Sequence, residues 1–381
     1  MRVAIVHDYI KEFGGAERVL EALCEIYPKA PIYTAFSDKN STAYEHFKNK
    51  KIITSWFNFL PYPSKLASPL RFLTPFIWGS FDFKDYDVVL SSASWYVTKG
   101  FGQNQKSSIQ QAQDKNQKSP IEICYCHTPP RWLYGYQTSV NFQKYKIVRV
   151  YAAIVGHFLR LYDFKRAQKV NYFIANSREV QGRIKKFYRR DSAVIYPPVS
   201  LPKITNIKKG DYYFIVSRIV GAKGLDLAVD AALKAGFKLK IAGSPSGYYS
   251  EHEKLIKKSE GKVKFLGQVT DDELSKLYKG AKAFLALSQD EDFGITPVEA
   301  MLSGTPVIAY NGGGYKETVI NGKTGILFDD YSVEGLVSAI NTFEKTKINA
   351  KDCIEQAQKF SKERFKAEIE NFVKSKIKNT Y

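Results

Sequence analysis

The 381-residue chain has no apolar run long enough to cross a bilayer as a helix, which takes roughly 20 residues. This excludes a helical membrane span. Its four cysteines, Cys24, Cys124, Cys126 and Cys353, have no framework spacing. They exclude a disulfide-stapled scaffold and fit a reducing setting. No GxGxxG follows any strand pattern, so the dinucleotide-binding fingerprint is missing. Met1-Arg2 passes directly into Val3-Ala4-Ile5-Val6 rather than into an apolar secretory segment, and the expected location is cytoplasmic.

Acid is also scarce. Lys and Arg number 57 against 38 Asp and Glu, a net charge of +19. Residues 1–200 hold 29 cations and 15 acids, a net of +14, and the remaining 181 residues hold 28 and 23, a net of +5. The excess lies in the first half, so a polyanionic or membrane-surface partner is expected there. Residues 46–81 contain no acid at all. They interleave Lys48, Lys50, Lys51, Lys65 and Arg71 with Trp56, Phe57, Phe59, Tyr62, Phe72, Phe76 and Trp78. Cations and aromatics without carboxylates suit an anionic membrane interface. The plainer reading is a helical subdomain whose aromatics form core.

What is abundant is the short apolar strand. Runs near 3–7, 32–36, 87–92, 121–127, 172–177 and 192–196 are followed by others near 212–217, 238–242, 263–266, 283–288, 306–310 and 325–328. Most are Val/Ile/Phe-rich without strict alternation, the mark of parallel sheets buried on both faces. Helical patterns separate them; Ala16, Val19, Leu20, Leu23 and Tyr27 mark one apolar face. The predicted architecture is α/β, with two doubly wound Rossmann-like domains in tandem. Tyr196-Pro197-Pro198-Val199 is the boundary candidate, since two prolines stop either sheet from continuing. This gives domains 1–198 and 199–359, with a basic helical tail, 360–381, expected to pack back on the first. Residues 103–119 are polar and apolar-poor and read as a mobile loop without chemistry.

Candidate chemistry clusters at strand ends. In Glu291-Asp292-Phe293-Gly294-Ile295-Thr296-Pro297-Val298-Glu299, two carboxylates flank the expected start of a helix. Free N–H groups of Gly294, Ile295 and Thr296 would form an anion site there. The bland alternatives are a capping box, with Thr296 as N-cap and Glu299 reaching back, and a solvated acidic loop at Glu291. Arg218 and Lys223, five residues apart after the strand ending at Ser217, suit a diphosphate, although a surface pair is the usual reading. Asn311-Gly312-Gly313-Gly314 offers a backbone nest at an equivalent edge. In the first half, Gly14 and Gly15 open a helix after His7-Asp8-Tyr9, where a backbone can approach a ligand closely. His127, at the end of a strand and stiffened by Pro129 and Pro130, is a site candidate against the default of a structural histidine. Cys124-Tyr125-Cys126-His127 has no second ligand pair, so packing is the preferred reading and no metal site is expected.

With these residues assembled, the chain resembles the retaining GT-B glycosyltransferases of family four, over nearly its whole length. The specific motif is Glu291-x7-Glu299. It is supported in order by Gly14-Gly15-Ala16-Glu17, His127-Thr128-Pro129-Pro130-Arg131, Arg218 with Lys223-Gly224, and Gly304-Thr305-Pro306-Val307-Ile308. The resemblance implies two domains around a cleft and a nucleotide-sugar co-substrate, with no further cofactor. It implies that Arg218 and Lys223 neutralise the donor diphosphate, Glu299 holds the ribose, and Glu291 contacts the sugar hydroxyls. Phe293, Gly294, Ile295 and Thr296 would meet sugar and phosphate through their backbone. His127 would line the transfer site, Gly15 would pack on the diphosphate, and Gln268-Val269 would meet the base.

Ile5-Val6-His7-Asp8-Tyr9 and His127–Arg131 look most like the bacterial polysaccharide and O-antigen mannosyltransferases of that family. The implied donor is GDP-mannose and the implied acceptor is a lipid-linked glycan at the inner face of the cell membrane. A UDP-sugar transferase or an epimerase of the same fold is the enzymatic alternative. A basic nucleic-acid-binding protein is the alternative of another class. No RNA or DNA module is recognisable, and a nucleic-acid partner is not expected.

Overall fold

The structure, a computed structural model, describes residues 1–102, 119–136, 146–202, 204, 206–219, 223–244 and 249–378, without the side chains of 249–252. The polar segment read as a mobile loop lies, apart from Ser119, outside the described residues. The strands in chain order are β1 (Val3–His7), β2 (Ile32–Thr34), β3 (Ile52–Thr54), β4 (Val88–Ala93), β5 (Ile121–Cys126), β6 (Tyr172–Ala175) and β7 (Ser192–Val194). They continue as β8 (Tyr213–Val216), β9 (Leu239–Ala242), β10 (Val263–Gly267), β11 (Phe284–Ala286), β12 (Val307–Tyr310) and β13 (Gly325–Phe328). The first seven form one sheet in the order β3-β2-β1-β4-β5-β6-β7, and the last six another, β10-β9-β8-β11-β12-β13. The strand pairs in both are parallel.

The expected runs all become strands. The addition is β3, Ile52-Ile53-Thr54, which extends the first sheet beside β2. Its three residues are only half-buried, so no apolar run announces it.

The chain divides into two compact units with a boundary at Pro198/Val199, and residues from Lys362 onward belong to the first unit. Alternation along the strands gives the first sheet two apolar faces. Val3, Ile5, Val88, Leu90, Ile123 and Tyr125 pack against Val19, Leu20 and Leu23 of the helix Gly15–Ile26. Phe365, Ile369 and Val373 of the C-terminal helix Lys362–Lys378 join the same cluster, each fully or almost fully buried. Burial of such side chains stabilises by about 1.5–3 kcal/mol each. Exposed ion pairs from Lys362 to Glu21 and from Lys366 to Glu25 add little beyond orientation. The opposite face carries Ala4, Val6, Val89 and Tyr33 against Phe36, Phe57, Ile77, Trp78 and Tyr96.

The acid-free segment 46–81 supplies part of that second core and part of the surface. Phe57 and Trp78 are buried, and the Trp78 Nε1–H donates to the Tyr96 carbonyl at 2.7 Å. Arg71 also turns inward, its guanidinium 5.0 and 4.5 Å from the rings of Trp95 and Trp132. Phe59, Tyr62, Phe72 and Phe76 remain exposed, Phe59 to 84%. No helix among the described residues is long and apolar enough to cross a membrane.

In the second unit Tyr213, Ile215, Leu285, Leu287 and Ile308 pack under Leu225, Val229 and Leu336. The far side is aromatic: Tyr278 stands edge-on to Phe214, with ring centroids 5.4 Å apart.

Candidate functional site

In each sheet the first strand has later strands on both sides of it. The order therefore reverses between β8 and β11 in the second unit and between β1 and β4 in the first. Loops leaving the carboxyl ends diverge at such a point and leave room for a ligand. Of the residues singled out from the sequence, Arg218 after β8 and Glu291–Thr296 after β11 follow the two strands at the reversal, and Gln268-Val269 follow the edge strand β10. Gly15 and His127 belong to the first unit, at the start of the helix Gly15–Ile26 and directly after β5.

In the second unit the central contact is an ion pair, with Lys223 Nζ 2.7 Å from Glu291 Oε2. Both side chains keep some access to solvent, 28% and 19%. Tyr315 Oη donates to the same carboxylate oxygen at 3.3 Å. Burial, and then the charge of Glu291, push the Tyr315 hydroxyl well above its ordinary range, so it acts as a donor here. Arg218 is exposed, and Ser217 Oγ donates to its carbonyl at 2.8 Å. Gln268 is exposed too, 3.5 Å from Ser244 Oγ. The second unit thus presents an exposed cation and a carboxylate already oriented by a lysine and a tyrosine.

The loop carrying Glu291 is held from behind by the glycine run. Gly314 N–H donates to the Glu291 carbonyl at 2.9 Å. A Cβ on Gly313, whose φ is +52°, would lie 2.2 Å from that same carbonyl oxygen. The glycines read as a ligand nest are what lets the two backbones touch.

The helix after Glu291 spans Ile295–Leu302, with Gly294 as its N-cap at φ 87°. This corrects the expected start at Pro297 with Thr296 as N-cap. A left-handed glycine allows the chain to enter the helix two residues early, so Pro297 sits in the first turn rather than at its head. Ile295 and Thr296 have no intrahelical carbonyl for their N–H groups, and Pro297 has no N–H to offer. Glu299, too far along for a capping box, is buried, and its Oε2 accepts from Tyr278 Oη at 2.9 Å. Phe293 is buried, with its ring 5.3 Å from that of Phe360.

In the first unit His127 belongs to a polar cluster that the sequence does not announce. Its Nε2 lies 2.8 Å from Ser92 Oγ on β4, and Ser92 lies 3.0 Å from His7 Nδ1. Burial, and secondly the His7 ring, hold the imidazole neutral and pull the His127 pKa down to about 3. Cys124 and Cys126 pack in the core beside Phe173 and Tyr188, and neither forms a disulfide. Among the described residues no group of three His, Cys, Asp or Glu is arranged to hold a metal ion.

Sequence reasoning missed the helix Lys146–Lys169 altogether. One side of it, with Gly156, Leu159, Asp163 and Ala167, is buried. Another side shows Ile147, Val150, Ile154, Phe158 and Leu161, between 50% and 85% exposed, at spacings of three and four residues. Lys146, Arg149 and Lys165 are exposed along the same helix. Its single acid, Asp163, is buried against Lys99 and accepts from Tyr134 Oη at 2.7 Å. The signal was an apolar stripe on each of two faces, which reads as an ordinary buried helix.

The neutral His127 makes stability pH-dependent. An unfolded histidine titrates near 6.5, above the folded value, so the contribution is complete above that pH and is lost as pH falls toward 3. The loss is at most about 1.4 kcal/mol per pH unit. Urea unfolding at pH 7.5 and pH 5 should show the wild type losing about 1–2 kcal/mol more than His127→Gln. Equal losses would contradict a neutral buried ring.

Comparison with known proteins agrees with this geometry. Residues 200–360 match the family described as Glycosyl transferases group 1. An uncharacterized glycosyltransferase of Methanocaldococcus jannaschii is 28% identical over 218 residues, covering 56% of this chain and 61% of that protein. The glycogen synthase of Thermus thermophilus is 35% identical over 130 residues, 33% of this chain and 30% of that enzyme. The D-inositol 3-phosphate glycosyltransferase of Corynebacterium glutamicum is 33% identical over 150 residues, 36% and 35% of the two chains. The chain thus spans less than two thirds of the length of each of these relatives. Among solved structures, Anabaena HepE in complex with UDP and glucose superposes with a TM-score of 0.70 at 19% identity, over 98% of this chain and 100% of that one. Sucrose-phosphate synthase from Thermosynechococcus elongatus also gives 0.70, at 18% identity, over 98% and 99%. The fold is therefore GT-B, and residues 200–360 are similar to the glycosyl transferases group 1 family.

Proposed function

We propose that the chain is a retaining, metal-independent glycosyltransferase. It moves a hexose, with mannose from GDP-mannose as the first candidate, to a lipid-linked glycan or polysaccharide precursor at the inner face of the cell membrane. The observation that carries this reading is the Lys223–Glu291 pair beside the N-terminus of the helix Ile295–Leu302, with Arg218 exposed at the end of β8. As the glycosidic C–O bond breaks, negative charge grows on the leaving diphosphate. Arg218, Lys223 and the N–H groups of Ile295 and Thr296 are the chain's own means of stabilising it. Glu291, with Tyr315 donating to it, is left to accept from sugar hydroxyls, while Phe293 and Gly294 shape the loop between them. Gln268 and Val269 take the base, and Glu299 anchors the ribose side from its place under Tyr278.

The membrane part of the proposal rests on the first unit's surface. Phe59, Tyr62, Phe72 and Phe76 are exposed in the acid-free segment, and Ile147, Val150, Ile154 and Phe158 are exposed on the helix Lys146–Lys169. Tyr151 of that helix donates from its hydroxyl to the Pro69 carbonyl, which ties the two elements together. Lys48, Lys51, Lys65, Lys146 and Arg149 are exposed around them. Exposed aromatic and aliphatic side chains on the same unit as exposed cations suit an anionic bilayer interface. Arg71, folded between two tryptophans, drops out of the cationic set expected from the sequence.

Two measurements test the proposal. A thermal-shift and donor-hydrolysis panel over GDP-, UDP-, ADP- and dTDP-sugars should give selective stabilisation by GDP-mannose and turnover that survives EDTA. Lys223→Ala should lower that turnover by about 10²-fold or more. Selectivity for a UDP-sugar would replace the donor, and silence across the panel would overturn the transferase reading. Separately, the protein should sediment with vesicles containing phosphatidylglycerol and much less with phosphatidylcholine alone. Ile154→Asp with Phe158→Asp should weaken that binding by more than about tenfold, at an unchanged thermal midpoint because both side chains face solvent. Equal sedimentation of the variant would contradict the membrane surface.

A further inference from the structure

Four side chains from four elements of the first unit form one hydrogen-bonded row. Glu17 Oε1 is 3.4 Å from His7 Nε2, His7 Nδ1 is 3.0 Å from Ser92 Oγ, and Ser92 Oγ is 2.8 Å from His127 Nε2. All four residues are buried, at no more than 8% exposure. Register builds the row. His7 pairs with Ser92 across β1 and β4, and Ser92 pairs with Tyr125 across β4 and β5. His127 lies two residues past Tyr125, so its side chain falls on the same face. That face is the apolar one packed under the helix Gly15–Ile26, and Glu17 reaches the row from the first turn of this helix.

A serine hydroxyl carries one hydrogen, and a neutral imidazole carries one on either of its nitrogens. With both rings neutral and the Ser92 O–H donating within the row, the row can run in only two directions. In one, His7 Nε2–H donates to Glu17, Ser92 O–H donates to His7 Nδ1, and His127 Nε2–H donates to Ser92. In the other, Ser92 donates to His127 and His7 Nδ1–H donates to Ser92. The second direction leaves a bare His7 nitrogen facing a carboxylate, acceptor against acceptor in a buried place. Glu17 lies in the first helical turn, where its Oε2 also accepts from Gly14 N–H at 3.0 Å. Only the first direction pairs a donor with an acceptor at all three contacts of the row.

We propose that Glu17, acting through His7 and Ser92, fixes His127 as the Nε2–H tautomer, so that its Nδ1 is a permanent hydrogen-bond acceptor. Among the described residues the His127 ring has no hydrogen-bond partner but Ser92. A neutral ring offering a lone pair accepts from a hydroxyl and gives nothing to a phosphate oxygen. His127 thereby selects for the hydroxyl-bearing part of a substrate, and Glu17, His7 and Ser92 are its positioning residues. The hydroxyl it serves, a sugar's or an acceptor's, rests on the transferase reading. The tautomer does not.

The test is therefore spectroscopic and needs no substrate. Histidine-labelled ¹⁵N protein is examined by long-range proton–nitrogen correlation at pH 8, where an ordinary histidine is neutral, with signals assigned from His7→Gln and His127→Gln. Both rings should show a protonated Nε2 and a bare Nδ1. Glu17→Gln keeps an oxygen for Gly14 N–H but has an amide that can donate as well as accept. It should convert the single His127 pattern into a mixture of tautomers while the exposed His157 signal stays unchanged. A protonated Nδ1 at His127 in the wild type, or a His127 pattern indifferent to Glu17→Gln, would overturn the proposal. A transferase assay that fails while the tautomer responds as stated would overturn the functional reading alone.

Discussion

In a parallel sheet every strand ends at the same edge, so every loop that leaves a carboxyl end is delivered there. Both sheets of this chain are bound by that constraint, and the candidate chemistry follows from it. Arg218, Gln268 and Glu291 are distant in sequence, yet each lies within five residues past the end of a strand in the same six-stranded sheet. His7, Ser92 and His127 are joined by the same means in the other sheet, because register aligns β1, β4 and β5 at their ends. The apolar strand interiors provide the stability, and the edge is where polar groups can stand without interrupting the core.

Charge at the two edges is arranged differently. In the second unit Lys223 and Glu291 are close but partly solvated, which keeps both available to exchange partners. In the first unit His7, His127 and Glu17 are buried and joined in one hydrogen-bonded row through Ser92. A diphosphate calls for mobile cations, whereas recognition of a hydroxyl calls for a fixed acceptor.

Much of this was legible before the fold. The strands were visible as Val/Ile-rich runs, and so was the strand–loop–helix pattern around Glu291. What escaped notice did so for local reasons. β3 is three half-buried residues between Lys51 and Ser55, too short for any periodicity to register. The helix Ile295–Leu302 starts early because Gly294 takes a left-handed conformation, while Thr296-Pro297 imitates a helix start. The helix Lys146–Lys169 carries apolar residues on both sides, and pattern alone cannot tell which side meets protein. Ser92 gave no signal, because its importance comes only from pairing 85 residues away with His7.

The most direct test of the account is hydrogen–deuterium exchange of the intact chain with and without GDP-mannose, repeated with UDP-glucose. The central claim is that the carboxyl edge of the second sheet takes the nucleotide sugar. It predicts protection concentrated in 217–224, 267–270 and 289–298, with the cognate donor giving the larger effect. Protection confined to other segments, with these three unchanged by either compound, would contradict it.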